Sequence, residues 1–141
     1  MQVIIPFLQE AGIQKFACVG FCFGGYVAFL ASQTGLFSCG VGAHSSIKAF
    51  NFNGSNEVEA ALAVTCPQML LQAGNDPDNT KPGGEVETAL RSLPFGASCV
   101  VKEFPEMTHG WMTRGSLSDG AVARDVAAGM QLILSFLNQN L

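Results

Sequence analysis

Phe16-Ala17-Cys18-Val19-Gly20-Phe21-Cys22-Phe23-Gly24-Gly25-Tyr26 is the stretch on which the reading of this chain turns. An apolar run, Phe16 to Val19, leads into a glycine-flanked cysteine and then into a helix-like run from Tyr26 to Ser32. Residues 20–24 fit the Gly-x-nucleophile-x-Gly pattern of a sharp strand-to-helix turn, with cysteine where serine is more usual. Such a turn lifts one side chain clear of the sheet and aims helix N-terminal amides at it. Glycines are needed because backbone segments come too close for a Cβ. The helix dipole then favours thiolate, the reactive form, over thiol. The plainer reading is a small buried residue, since free cysteine is among the most buried types. Cys18, Cys39, Cys66 and Cys99 offer four more examples in the same chain.

The order of elements around the turn bears on the choice. Residues 3–11 read as a short helix stopped by Gly12, and residues 16–19 as a buried strand. Residues 24–33 read as a helix ended by Gly35, and residues 39–43 as a second strand running into His44-Ser45-Ser46. A loop over 51–56 precedes a short acidic helix at 57–63. Residues 67–73 form a third strand, whose tail, Gly74-Asn75-Asp76-Pro77-Asp78-Asn79, is dense in turn residues. Val86, Ala89, Leu90 and Leu93 mark a helix over 85–93, and residues 98–104 a fourth strand before His109-Gly110-Trp111. The closing helix, 121–137, is expected to bury Val122, Val126, Met130, Ile133 and Leu137. Alternating strands and helices imply an α/β fold with a parallel sheet, whose ligands gather beyond the carboxyl ends of the strands. Each strand end here carries a polar cluster: Cys22, then His44/Ser45/Ser46, then Asp76/Asp78, then His109.

Composition narrows the function classes. The 141 residues are 48% hydrophobic and only 13% charged, so much of the chain must be buried in one domain, 1–141. The net charge is −4 and Lys and Arg are scattered singly, which argues against nucleic acid or an anionic membrane as partner. No apolar run is read as a membrane span, and Met1 to Pro6 lacks the charged start of a signal peptide. Five cysteines without a CxxC pair suggest neither a disulfide framework nor zinc, and a reducing cytoplasm suits them.

Cys22, Asp76 and His109 occur in the chain order nucleophile, acid, histidine. Cys22 would attack a carbonyl carbon, His109 hold or return the proton, and Asp76 fix the imidazole tautomer. The Phe23 N–H, just after the nucleophile, would be one oxyanion donor. Asp78 competes with Asp76, and His44 with His109. Trp111 reads as cleft lining or core; Arg114 reads as a solvated charge or as a bidentate partner for a carboxylate.

Three segments, Val19 to Gly25, Ala73 to Asp76 and His109 to Gly115, together resemble the dienelactone hydrolase family of the α/β-hydrolase superfamily. The resemblance implies a parallel sheet with helices on both faces and a Cys22/Asp76/His109 triad acting on esters or lactones. It implies Arg114 as a candidate for a substrate carboxylate, and no metal or organic cofactor. It also implies more chain before the elbow than the 21 residues present here. The chain is therefore expected to match the C-terminal portion of that fold, with about four strands and an exposed edge at residues 16–19. A homodimer, or pairing with the missing N-terminal half, would cover that edge. The alternatives to a thiol hydrolase are a non-catalytic remnant acting in binding or assembly, and a thiol redox sensor at Cys22 with Cys18 upstream.

Overall fold

A computed structural model describes residues 3–141. After the short helix α1 (Ile4–Glu10), four strands alternate with helices: β1 (Ala17–Phe21), α2 (Phe23–Ser32), β2 (Cys39–Ala43), α3 (Glu57–Ala63), β3 (Gln68–Ala73), α4 (Glu85–Arg91) and β4 (Val100–Phe104). The short α5 (Trp111–Arg114) and the long α6 (Gly120–Asn140) follow. The fold is α/β. Its sheet is parallel throughout, in the order β1-β2-β3-β4, with Val19 opposite Val41, Val41 opposite Met69 and Ala73 opposite Phe104.

Crossovers of one hand between successive neighbours deliver their helices to a single face. Accordingly α2, α3 and α4 share one core, in which Phe29, Ala61, Leu70, Val86 and Leu90 meet. The other face is covered by α6, whose Ile133 and Phe136 join Val41, Met69, Leu71 and Trp111. Helices thus lie on both faces. The central strands β2 and β3 are buried along their whole length, as their near-continuous apolar sequence requires. β1 lies at one edge, and its Val19 is 42% exposed.

Three details depart from the sequence expectation. Residues Ile47–Asn53 form a 3-10 helix rather than an entry into a loop, and Trp111–Arg114 is helical. The buried stripe of α6 runs through Asp125, Gly129, Ile133 and Phe136, leaving Met130 exposed. The reason is Trp111: a Cβ on Gly129 would stand 2.8 Å from its ring, so the helix turns its glycine inward to seat the indole. α6 is also long and apolar enough to cross a membrane by length and composition, which the sequence reading passes over. In this fold it lies against the sheet.

Candidate active site

The elbow forms where β1 ends and α2 begins. Cys22 lies between them with φ 55° and ψ −120°, a left-handed conformation costly for a residue with a side chain. Neighbouring backbone holds it there. Its N–H donates to Ala43 O (3.1 Å), and its carbonyl accepts from the amides of Gly25 (3.0 Å) and Ser46 (2.9 Å). The close approach also explains two glycines. A Cβ on Gly20 would meet Gly24 O at 1.9 Å, and one on Gly25 would meet Ser45 Oγ at 2.4 Å. Any side chain there would push α2 off the strand end.

The loop after β3 holds the acid. Asp76 is buried, and its Oδ2 accepts the Ala73 N–H at 2.7 Å, which leaves Oδ1 free to face the histidine. Asp78, by contrast, has a side chain 97% exposed and pairs with Lys81 at 3.0 Å. The two aspartates that the sequence leaves open are thereby separated by geometry. A buried polar chain braces the same loop: Ser45 N–H donates to Gln72 Oε1 (3.0 Å), Gln72 Nε2 to Thr80 Oγ1 (2.8 Å), and Thr80 Oγ1 to Pro77 O (2.7 Å).

The loop after β4 brings His109 to both. Its amide donates to Asn75 Oδ1 at 2.6 Å, tying it to the β3 loop. Its Nδ1 lies 2.6 Å from Asp76 Oδ1, and its Nε2 lies 3.2 Å from Cys22 Sγ. With Asp76 ionised, Nδ1 carries the hydrogen and Nε2 is left to exchange a proton with sulfur.

Electrostatics follow from these contacts. The Cys22 thiol is held below its ordinary value, first by the bond to His109, then by Ser46 Oγ at 3.6 Å, and also by the Phe23 amide. For His109, partial burial pulls the imidazole down, but the bonds to Cys22 and Asp76 outweigh it and leave it raised. A lowered thiol and a raised imidazole both favour the thiolate–imidazolium pair.

His44, the other histidine, is fully buried with its ring 5.2 Å from that of His109, edge to face. Burial, then His109, pushes it below the usual histidine range. Neither of its nitrogens has a hydrogen-bond partner among the described residues, so it serves as a neutral plate behind His109. Trp111 is 2% exposed and packs 4.5 Å from the Phe104 ring, and it also borders the groove beside His109. Arg114 is exposed, and it lines a groove with His109, Thr108 and Gly110. Cys18 turns away from the elbow, its Sγ facing Ala28 O (3.4 Å) and Ser32 Oγ (3.5 Å).

Sequence reasoning flags Ser46 as part of a strand-end cluster but misses its contact with sulfur. That contact depends on the β1–β2 pairing, which brings residues 24 apart in sequence together. No group of three His, Cys, Asp or Glu side chains able to hold a metal ion is found among the described residues.

The dienelactone hydrolase family model matches residues 4–141 of this chain. No curated protein and no solved structure matches it.

Proposed function

The chain belongs to the dienelactone hydrolase family, which supports a hydrolase-like function, and on that premise we propose that it cleaves a small ester or lactone with Cys22 as nucleophile. The observation that carries the proposal is the unbroken line Cys22 Sγ–His109 Nε2–Asp76 Oδ1, at 3.2 and 2.6 Å.

The reaction follows from the charges along that line. Cys22 thiolate attacks the carbonyl carbon and a C–S bond forms. The carbonyl electron pair moves to oxygen, where the Phe23 N–H, already facing the sulfur, stabilises the oxyanion. As the intermediate collapses the C–O bond breaks, and His109 imidazolium gives its Nε2 proton to the departing alkoxide. An acyl thioester remains on Cys22. His109, now neutral, takes a proton from water, and the resulting hydroxide adds to the thioester carbonyl. The C–S bond then breaks, the acid leaves, and thiolate returns beside imidazolium. Asp76 keeps the ring oriented throughout. Arg114, exposed on the His109 side, would meet a carboxylate on the substrate. No metal or organic cofactor enters this scheme, and a cytoplasmic setting would keep the thiol reduced.

Hydrolysis of a p-nitrophenyl ester, with iodoacetamide as competitor, tests the proposal. Labelling confined to Cys22 should abolish turnover, and Cys22→Ala should lower kcat/KM by at least about 10³-fold. Full activity in Cys22→Ala would refute it.

The β1 edge favours a second reading, a module that binds or assembles with another chain. Val19 on that edge is exposed, and so are the apolar side chains Val27 and Leu30 of α2 and Ile4 and Phe7 of α1. An unpaired parallel edge bearing such residues invites pairing with a second copy or with a segment supplying further strands. Light scattering on the purified chain distinguishes the two: a monomer at all concentrations removes the self-pairing version.

A further inference from the structure

Two grooves open beside the candidate triad, and the mechanism above draws on only one. The first is lined by His109, Arg114, Thr108 and Gly110. The second, of about 400 Å³, is lined by Phe23, Ser46, Lys48, Ala49, Asn51 and Phe52. That volume lies within the ordinary range for small-molecule sites.

We propose that the second groove receives the acyl part of the substrate, and that the preferred substrates are esters with an unbranched apolar acyl chain of medium length. The inference rests on the ester-cleaving reading of Cys22.

Three observations carry it. Continuity comes first. Phe23, which directly follows Cys22, and Ser46, whose Oγ stands 3.6 Å from Sγ, both line the groove, so it opens next to the reacting atom. Direction comes second. The proton for the leaving oxygen comes from His109 Nε2, so the leaving group must lie on the histidine side of the sulfur. His109 lines the first groove and not the second, whereas Ser46 lines the second and not the first. The acyl substituent, on the other arm of the carbonyl carbon, is therefore directed toward Phe23 and Phe52. Chemistry comes third. Phe23 is 60% exposed and Phe52 91% exposed, two large aromatic side chains turned to solvent and lining one groove. Folding does not require this, because the neighbouring Phe50 already fills the core beneath, with its ring 4.6 Å from that of Tyr26. Exposed apolar surface bordering a reactive group marks a binding surface. The alkyl stem of Lys48 adds to the wall while its ammonium stays in water.

The test uses p-nitrophenyl acetate, butyrate and hexanoate on the full chain, with Phe52→Ala and Phe52→Leu. Each methylene buried in the groove should raise kcat/KM by about two- to fourfold, so hexanoate should exceed acetate by at least about tenfold. Phe52→Ala should cut the hexanoate-to-acetate ratio by about fivefold or more, and Phe52→Leu should restore most of it. A merely structural role for Phe52 would lower both esters together and leave the ratio unchanged, which would overturn the proposal. A second arm needs no turnover: alkylation of Cys22 by N-hexyl iodoacetamide against iodoacetamide. Faster labelling by the hexyl reagent, lost in Phe52→Ala, supports the groove even if no ester is hydrolysed, in which case the hydrolase reading fails and the groove stands. Equal labelling by the two reagents overturns the groove whatever the esterase activity.

Discussion

The five cysteines divide between the two ends of one sheet. Cys22 follows the carboxyl end of β1, is partly exposed, and has a thiol held below its ordinary value. Cys18 lies near the amino end of β1, Cys39 opens β2, and Cys66 and Cys99 stand just before β3 and β4. Burial pushes Cys39 and Cys66 up to about 11, and raises Cys18 and Cys99 as well. The residue type is the same, and the supply of donors differs. At the carboxyl end an imidazole, a hydroxyl and a helix amide converge on the sulfur. At the amino end desolvation dominates and the thiol stays a small hydrophobe.

The sharpest way to break this contrast is to compare labelling rates at neutral pH. The pKa difference alone gives Cys22 at least about a hundredfold more thiolate than Cys39 or Cys66, and their burial adds to it. Mass spectrometry of a brief iodoacetamide pulse should find Cys22 alone modified. Labelling of Cys39 or Cys66 within tenfold of the Cys22 rate in the native protein would dissolve the distinction.

His109→Gln strikes the largest contributor on the favourable side. Esterase kcat/KM should fall by about 10²–10⁴-fold. The pH dependence of Cys22 alkylation should move with it, and its sign is fixed. A lowered pKa means that thiolate, and hence alkylation, persists to lower pH in the wild type. Without the imidazole the midpoint moves up toward the ordinary cysteine value. A midpoint unmoved by the substitution would show that His109 does not hold the thiolate.

Ser46→Ala sharpens the same contrast with a smaller effect. Loss of one hydroxyl contact should reduce kcat/KM by about two- to tenfold and raise the alkylation midpoint by less than His109→Gln does. An alkylation midpoint identical to the wild type would mean that the 3.6 Å contact has no electrostatic consequence.

Most of the sheet and the three aligned residues are legible from the chain because they follow from local chemistry and strand order. Glycine marks the elbow, turn residues mark the β3 loop, and a polar residue after each strand marks the ligand-facing end. What escapes the sequence depends on tertiary contact. Asp76 and Asp78 stand two residues apart in one turn, and tertiary contacts separate them: Asp76 bonds to Ala73 N–H and His109, Asp78 to Lys81. Met130 looks like a core position of α6, while Gly129 beside it draws no notice in the sequence. The indole of Trp111 reverses those roles. Phe52 sits in a 3-10 helix too short to show periodicity, so nothing in its spacing announces a groove.

The strand order has a consequence in time. Every strand pairs with its sequence neighbour, yet each parallel pairing joins residues separated by a whole crossover, so the sheet grows one non-local step at a time. The Cys22–His109 contact, spanning 87 residues, closes only after β4 has joined. Until its last strand is in place the chain therefore lacks the imidazole that lowers the Cys22 thiol most. Pulse alkylation during refolding should accordingly see fast labelling of Cys22 emerge in the final phase; its appearance before β4 protection would contradict this order of assembly.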